Sequence, residues 1–219
     1  MHTDTLWIAG GLYGNPEALD TLLGLFESEP GDKALVFNGD FHWFDVDRAD
    51  FARINAGVLP HQATRGNVET ELAFPSPGTG CGCGYPDWVG NAEVERSNRI
   101  MERLRATALQ SPDAIRQLAA LPMHRIAEVG GERVAIVHGD ADSLAGWAFS
   151  QETPATGAGL KAARAAFASA GMRVVASSHT CLPVLQFVAG CEYAAMWRFD
   201  RHEPTEEIPA LSGTELDVA

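Results

Sequence analysis

The segment Ala34-Leu-Val-Phe-Asn-Gly-Asp40 constrains the fold more than any other stretch of the chain. It is a short apolar run that ends in a glycine and a carboxylate. Buried strands of α/β folds present reactive groups at the mouth of the sheet in this way. Three later stretches repeat the pattern: Gly66-Asn67 follows a short run, His138 ends Arg133-Val-Ala-Ile-Val137, and His179 follows Met172-Arg-Val-Val-Ala-Ser177. One carboxylate, one amide oxygen and two imidazoles, each just past an expected strand, make a donor set for a hard-to-borderline divalent ion. Singly, each has a blander role. Asp40 can cap a turn, Gly66-Asn67 is ordinary turn chemistry, and a histidine at a strand end is commonly structural.

The rest of the chain reads as alternating elements. Leu6–Ala9 is a first strand, followed by the glycine-rich turn Gly10–Asn15. Pro16 opens a helix at the position where proline costs nothing, with Leu19, Leu22, Leu23 and Phe26 at helical spacing on its buried face. Pro30-Gly31-Asp32 ends it. This strand–helix–strand opening predicts two adjacent parallel strands. An aromatic loop, Phe41–Phe44, leads to a short helix over Arg48–Ile54. Residues 75–90 form an irregular insertion whose glycines and prolines exclude regular structure. Helices are expected over Ala92–Arg105, from Ser111-Pro112, and over Ala158–Ala170, with a helical turn at Asp142–Trp147. A hairpin is expected around Gly130-Gly131, pairing Met123–Val129 with Glu132–Val137. Met172–Ala176 is a strand, and Val184–Val188 with Tyr193–Phe199 is a closing antiparallel pair. Residues 1–202 form one expected domain, and 203–219 an acidic, partly disordered tail.

A chain of 219 residues with 46% hydrophobic residues can bury a sizeable core. A formal net charge of −13 argues against a nucleic-acid footprint and repels anionic phosphates at long range. A metal or local basic pocket would have to overcome that near any phosphate site. No apolar run approaches the ~18 residues of a membrane span, and the start lacks the basic residues of a signal peptide. Four cysteines, two of them in Cys81-Gly-Cys83, fit no secreted disulfide framework. A cytoplasmic protein is the resulting expectation.

The order Gly39-Asp40, Gly66-Asn67, His138-Gly139, Ser178-His179-Thr180 resembles the calcineurin-like metallophosphoesterases, over a span from Ala9 to Pro183. The resemblance implies an α/β fold, with two mixed β-sheets packed face to face and helices outside, and metal-dependent hydrolysis of a small-molecule phosphoester. That family carries two metals. Here its first Asp-x-His reads Gly11-Leu12-Tyr13, and its last histidine is Cys181. The ligands of the second metal all remain: Asp40, Asn67, His138 and His179. The expected site is therefore reduced to one divalent ion per chain, of the Mn, Zn, Fe or Mg kind, or gets its second ion another way. The family's histidine after Gly-Asn is Val68 here, so His42 is the expected general acid, with the near-neutral pKa of an imidazole. Arg65 is expected to clamp a phosphate oxygen and Tyr13 to donate a hydrogen bond to it. Cys181, Cys81 and Cys83 are further possible ligands, the last two carried by a loop expected to fold over the site. The alternative is a non-catalytic metal- or ligand-binding, or protein-interaction, module on the same fold.

Overall fold

The computed structural model describes residues 1–150, Lys161, Ala165, 171–181, and the strands at 185–188 and 191–195. The expected tail at 203–219, and most of the helix expected at 158–170, lie outside the described residues.

Two sheets form the centre. The first is wholly parallel, in the order β2 (Thr5–Ala9), β3 (Lys33–Asn38), β4 (Gln62–Thr64). The second is mixed, in the order β1 (His2–Thr3), β5 (His124–Val129), β6 (Glu132–Val137), β7 (Val174–Ala176). Within it β5 and β6 are the antiparallel hairpin, while β1 and β7 pair parallel on either side. A further antiparallel pair joins β8 (Leu185–Val188) to β9 (Cys191–Ala195). The second strand of this pair begins two residues before the sequence expectation.

Side-chain alternation along β3 explains the layering. Leu35 and Phe37 face one way, into a core shared with the helices. Val36 faces the other way, onto Ala127, Val134 and Ile136 of the second sheet. Strand residues that bury both faces have no polar position to offer, so the run reads as continuously apolar.

The helices cover the outer face of the parallel sheet. In α1 (Pro16–Ser28), Asn15 caps the N-terminus by accepting from the amides of Glu17 and Ala18, and Leu19 and Leu22 face inward. In α2 (Arg48–Val58), Asp47 caps in the same manner and Phe51, Ile54 and Val58 are buried. Each such cap contributes about 1 kcal/mol. Next comes α3 (Asn67–Ala73), which the sequence reading did not foresee. After it, α4 (Asn91–Ala108) buries Met101 and Leu104, and α5 (Pro112–Ala120) buries Leu118. Asp142–Trp147 forms turns and bends in place of the expected helical turn. Asp140 organises that loop instead: its carboxylate accepts from the amides of Asp142, Ser143 and Ala148. Among the described residues, no helix is long and apolar enough to cross a membrane.

Asn38, the last residue of β3, fastens the two sheets together. Its side-chain amide donates to the carbonyl of Val137 at 2.7 Å and its side-chain oxygen accepts from Thr64 at 2.9 Å. Sheet ends that would otherwise splay are thereby held side by side, and the residues that follow them emerge into one small volume.

Candidate metal centre

Asp40 follows β3, Asn67 opens α3 just after β4, His138 directly follows β6, and His179 lies three residues past β7. All four are buried. His138 Nε2 is the hub. It lies 3.1 Å from Asp40 Oδ2, 3.2 Å from Asn67 Oδ1 and 3.2 Å from His179 Nδ1. One ligand atom from each of Asp40, His138 and His179 falls within 4.8 Å of the others.

The hydrogen-bond partners fix which atoms face the centre. A backbone carbonyl only accepts, so His138 Nδ1 must donate to Asn38 O at 2.8 Å, which leaves Nε2 facing inward. His179 Nε2 donates to Cys83 O at 2.9 Å, so Nδ1 carries the lone pair. Asn67 Nδ2 donates to Cys81 O at 3.2 Å, which turns Oδ1 inward. The centre therefore gathers a carboxylate oxygen, an amide oxygen and two imidazole nitrogens, with the other ring proton of each imidazole already committed. With His138 Nε2 unprotonated, these are four acceptors that a cation between them would satisfy. Ligand atoms bound at ~2.0–2.1 Å to a tetrahedral first-row ion lie about 3.3 Å apart, close to the three distances from His138 Nε2. The donor set fits a divalent metal.

The electrostatics agree. Burial works against charge on Asp40, yet His138 and then His179 hold its carboxyl below the usual range. Burial likewise opposes charge on His138, but the Asp40 carboxylate outweighs it and raises the imidazole's pKa. Burial, followed by His138, lowers that of His179. One positive charge is favoured at this point, shared with Asp40.

Two glycines allow the approach. Gly39 and Asp40 both have left-handed backbone, φ 74° and 53°. A Cβ on Gly66 would sit 2.2 Å from Asp40 Oδ1 and 2.9 Å from His138 Cε1. Gly66→Ala should thus displace two of the clustered side chains, Asp40 and His138, and lower any metal affinity by about tenfold or more while the far-UV spectrum stays unchanged; outer partners of ligands typically contribute 10–100-fold. Unchanged affinity by metal titration would contradict the close packing at Gly66.

Glu69 was not foreseen. It is fully buried in α3, and its carboxylate accepts from the backbone amides of Asp40 and Gly66 at 2.8 Å each and of His42 at 3.1 Å. It shapes the backbone on which Asp40 stands. A glutamate three residues past a helix-opening residue is half of a capping-box signature, with Gly66 lacking the side chain to return the bond. That spacing was the available signal, obscured because α3 itself was not expected.

The remaining expected residues fall into three groups. His42 is not at the centre. It is fully buried, with Nδ1 2.8 Å from Asp45, Nε2 3.3 Å from Asn55, and its ring stacked on Phe51 at 4.0 Å. Both nitrogens are engaged in the helical core, so the general-acid expectation is corrected. Of the aromatic residues that made the loop conspicuous, Phe41 packs against it, with ring centroids 4.9 Å apart. His42→Ala should cost about 2–4 kcal/mol of stability, as expected for a buried residue that leaves an acid unpaired, yet leave metal affinity within about threefold. A loss of affinity as large as that of a ligand variant would restore the catalytic reading. Arg65 is also corrected: its guanidinium donates to the carbonyls of Ala119 and Leu121 at the end of α5 and lies over the Phe74 ring. It anchors helices and does not reach the centre.

Cys81 and Cys83 are bonded to each other as a disulfide. Their sulfurs are not free thiolates, which corrects their expected role as ligands. The loop that carries them does pack against the centre, through the Cys81 and Cys83 carbonyls. Trp147 Nε1 also donates to Cys83 O, at 3.1 Å. Tyr13 Oη and Cys181 Sγ are in hydrogen-bond contact with each other. Burial, then the neighbouring Cys181, pushes the Tyr13 phenol far up, so it stays protonated at neutral pH.

Two sheets with helices outside, and a donor cluster at the strand ends, define a metallophosphoesterase-type fold. The solved structures bear this out. A metallophosphoesterase from Sphaerobacter thermophilus superposes with a TM-score of 0.52 at 15% identity, covering 87% of this chain and 74% of that one. A hypothetical protein from Pyrococcus horikoshii OT3 superposes with a TM-score of 0.53 at 14% identity, covering 90% and 76%. At such identities the likeness is one of fold. No protein-family model matches the sequence, and no curated protein matches it either.

Proposed function

We propose that this chain is a metal-dependent phosphoester hydrolase with a single-ion centre held by Asp40, Asn67, His138 and His179. The observation that carries this reading is the convergence of three ligand atoms on His138 Nε2 within 3.1–3.2 Å, with both imidazole tautomers set by backbone carbonyls. A divalent ion there would supply Lewis acidity toward a phosphoryl oxygen and acidify water for attack. The chain's own residues do the rest. Asp40 provides the negative charge, the Asn38 and Cys83 carbonyls keep each imidazole lone pair inward, and the protonated Tyr13 hydroxyl would donate to a phosphoryl oxygen. A single ion is supported by the Tyr13–Cys181 contact, which puts a phenol and a thiol at the positions where the resembled family carries imidazoles, with Gly11 where it carries a carboxylate. Clamping only one side of an in-line displacement favours slow turnover on activated or small esters. The test is metal-depleted protein titrated with Mn2+ or Zn2+ while hydrolysis of a chromogenic phosphodiester and monoester is followed. Activity that appears with one equivalent supports the reading. Stoichiometric metal binding without hydrolysis of either ester would favour a non-catalytic metal-binding module.

A further inference from the structure

We propose that the Cys81–Cys83 disulfide is a redox clasp on the metal centre, holding in place the two carbonyls that orient Asn67 and His179. The inference rests on the metal reading above and extends it to regulation. Two of the four ligand side chains take their outer hydrogen bond from the tripeptide the disulfide closes. Cys81 O receives Asn67 Nδ2 at 3.2 Å and Cys83 O receives His179 Nε2 at 2.9 Å. Asn67 Nδ2 also lies 3.6 Å from Cys83 Sγ, so the bridge itself packs on the ligand amide. The Cys83 amide turns back onto Cys81 Sγ at 3.3 Å. Both cysteines are buried, while the loop around them has no helix or strand to fix its backbone. Gly82, between them, adopts φ 69°. The disulfide is therefore the covalent constraint on a segment whose carbonyls set the amide orientation and the imidazole tautomer of two ligands. Outer hydrogen-bond partners of this kind typically contribute 10–100-fold to metal affinity.

Opening the clasp is a two-electron reduction. A protein dithiol would break the S–S bond by exchange, leaving two thiols here and a disulfide on the donor. In the test, a water-soluble trialkylphosphine takes oxygen from water to become its oxide, and the S–S bond is replaced by two S–H bonds. Once parted, the sulfurs no longer fix the Cys81–Cys83 backbone, and Asn67 and His179 lose their set orientation.

Mn2+ affinity is measured by electron paramagnetic resonance on metal-depleted protein in three states: oxidised, phosphine-reduced, and reduced then reoxidised. Reduction should weaken Mn2+ binding by about tenfold or more, and reoxidation should restore it. A Cys81→Ser/Cys83→Ser variant should bind as weakly as the reduced protein and show no response to phosphine. The thermal midpoint of the metal-free protein is recorded alongside, because a purely structural bridge would shift the midpoint and leave affinity unchanged. If the double variant does not fold, the reversible reduction of the natural protein decides. A smaller loss overturns the clasp and leaves the metal centre standing. Tighter binding on reduction does the same, and would mean that the freed thiolates had joined the ion. An oxidised protein that binds no Mn2+ overturns the metal centre and the clasp together.

Discussion

Asp40→Asn is expected to reduce divalent-metal affinity by more than ~100-fold and to bring any metal-dependent hydrolysis to background, since even residues that only support a ligand contribute 10–100-fold. The substitution is chosen to isolate the charge. Asparagine tolerates the left-handed backbone that Asp40 adopts, and its side-chain oxygen can still accept the 3.0 Å bond from the Val68 amide. What disappears is the only carboxylate in the described cluster. Without it, an amide and two neutral imidazoles must attract a doubly charged ion inside a buried site, where unbalanced charge is costly. His138 also loses the group that raises its pKa. Circular dichroism should show a folded protein, and metal titration should show the loss. A variant that binds metal within tenfold of the parent would remove Asp40 from the centre.

Glu69→Ala should be the most destabilising single change near the site, by roughly 3–9 kcal/mol, from three buried backbone amides left unpaired at ~1–3 kcal/mol each. Those amides belong to Asp40, His42 and Gly66. Single domains are stable by only ~5–15 kcal/mol, so this variant should be close to unfolding at room temperature. Burial, and next the charge of Asp40, push the Glu69 pKa up, so the carboxylate sits there against its own desolvation. The three amide bonds offset that cost. Glu69→Gln should fall between the two. Its carbonyl oxygen can take the pair of bonds from Asp40 and Gly66, while its amino group faces the His42 amide, donor against donor. Chemical denaturation should rank the parent above Glu69→Gln and Glu69→Ala lowest. Equal stability of all three would mean that the amides find other partners.

The clustered positions were legible because Asp40, Asn67, His138 and His179 each follow a strand, and β3, buried on both faces toward its end, announces itself as an apolar run. Asp40, His138 and His179 lie within three residues of the ends of their strands. Their supporting residues were not legible. Asn38 lies inside the run it terminates, so its two-sheet fastening was invisible until the second sheet was placed. Glu69 required α3, and Gly66-Asn67 reads locally as a turn. His42 misled because proximity in sequence to Asp40 is not proximity in space. With Asp40 in left-handed backbone and a turn following, the chain carries His42 onto the Phe51 ring of α2. The cysteines misled for a different reason. Two thiols separated by one glycine read as soft ligands, but their sulfurs are satisfied by each other, and it is their carbonyls that meet the centre.

The most direct test of the account is an anomalous-difference map, collected at the metal absorption edge, from crystals grown with Mn2+ or Zn2+. The account predicts a single strong peak per chain, within ~2.0–2.3 Å of His138 Nε2, His179 Nδ1, Asp40 Oδ2 and Asn67 Oδ1. A peak elsewhere, or none at that position with metal in excess, would contradict it.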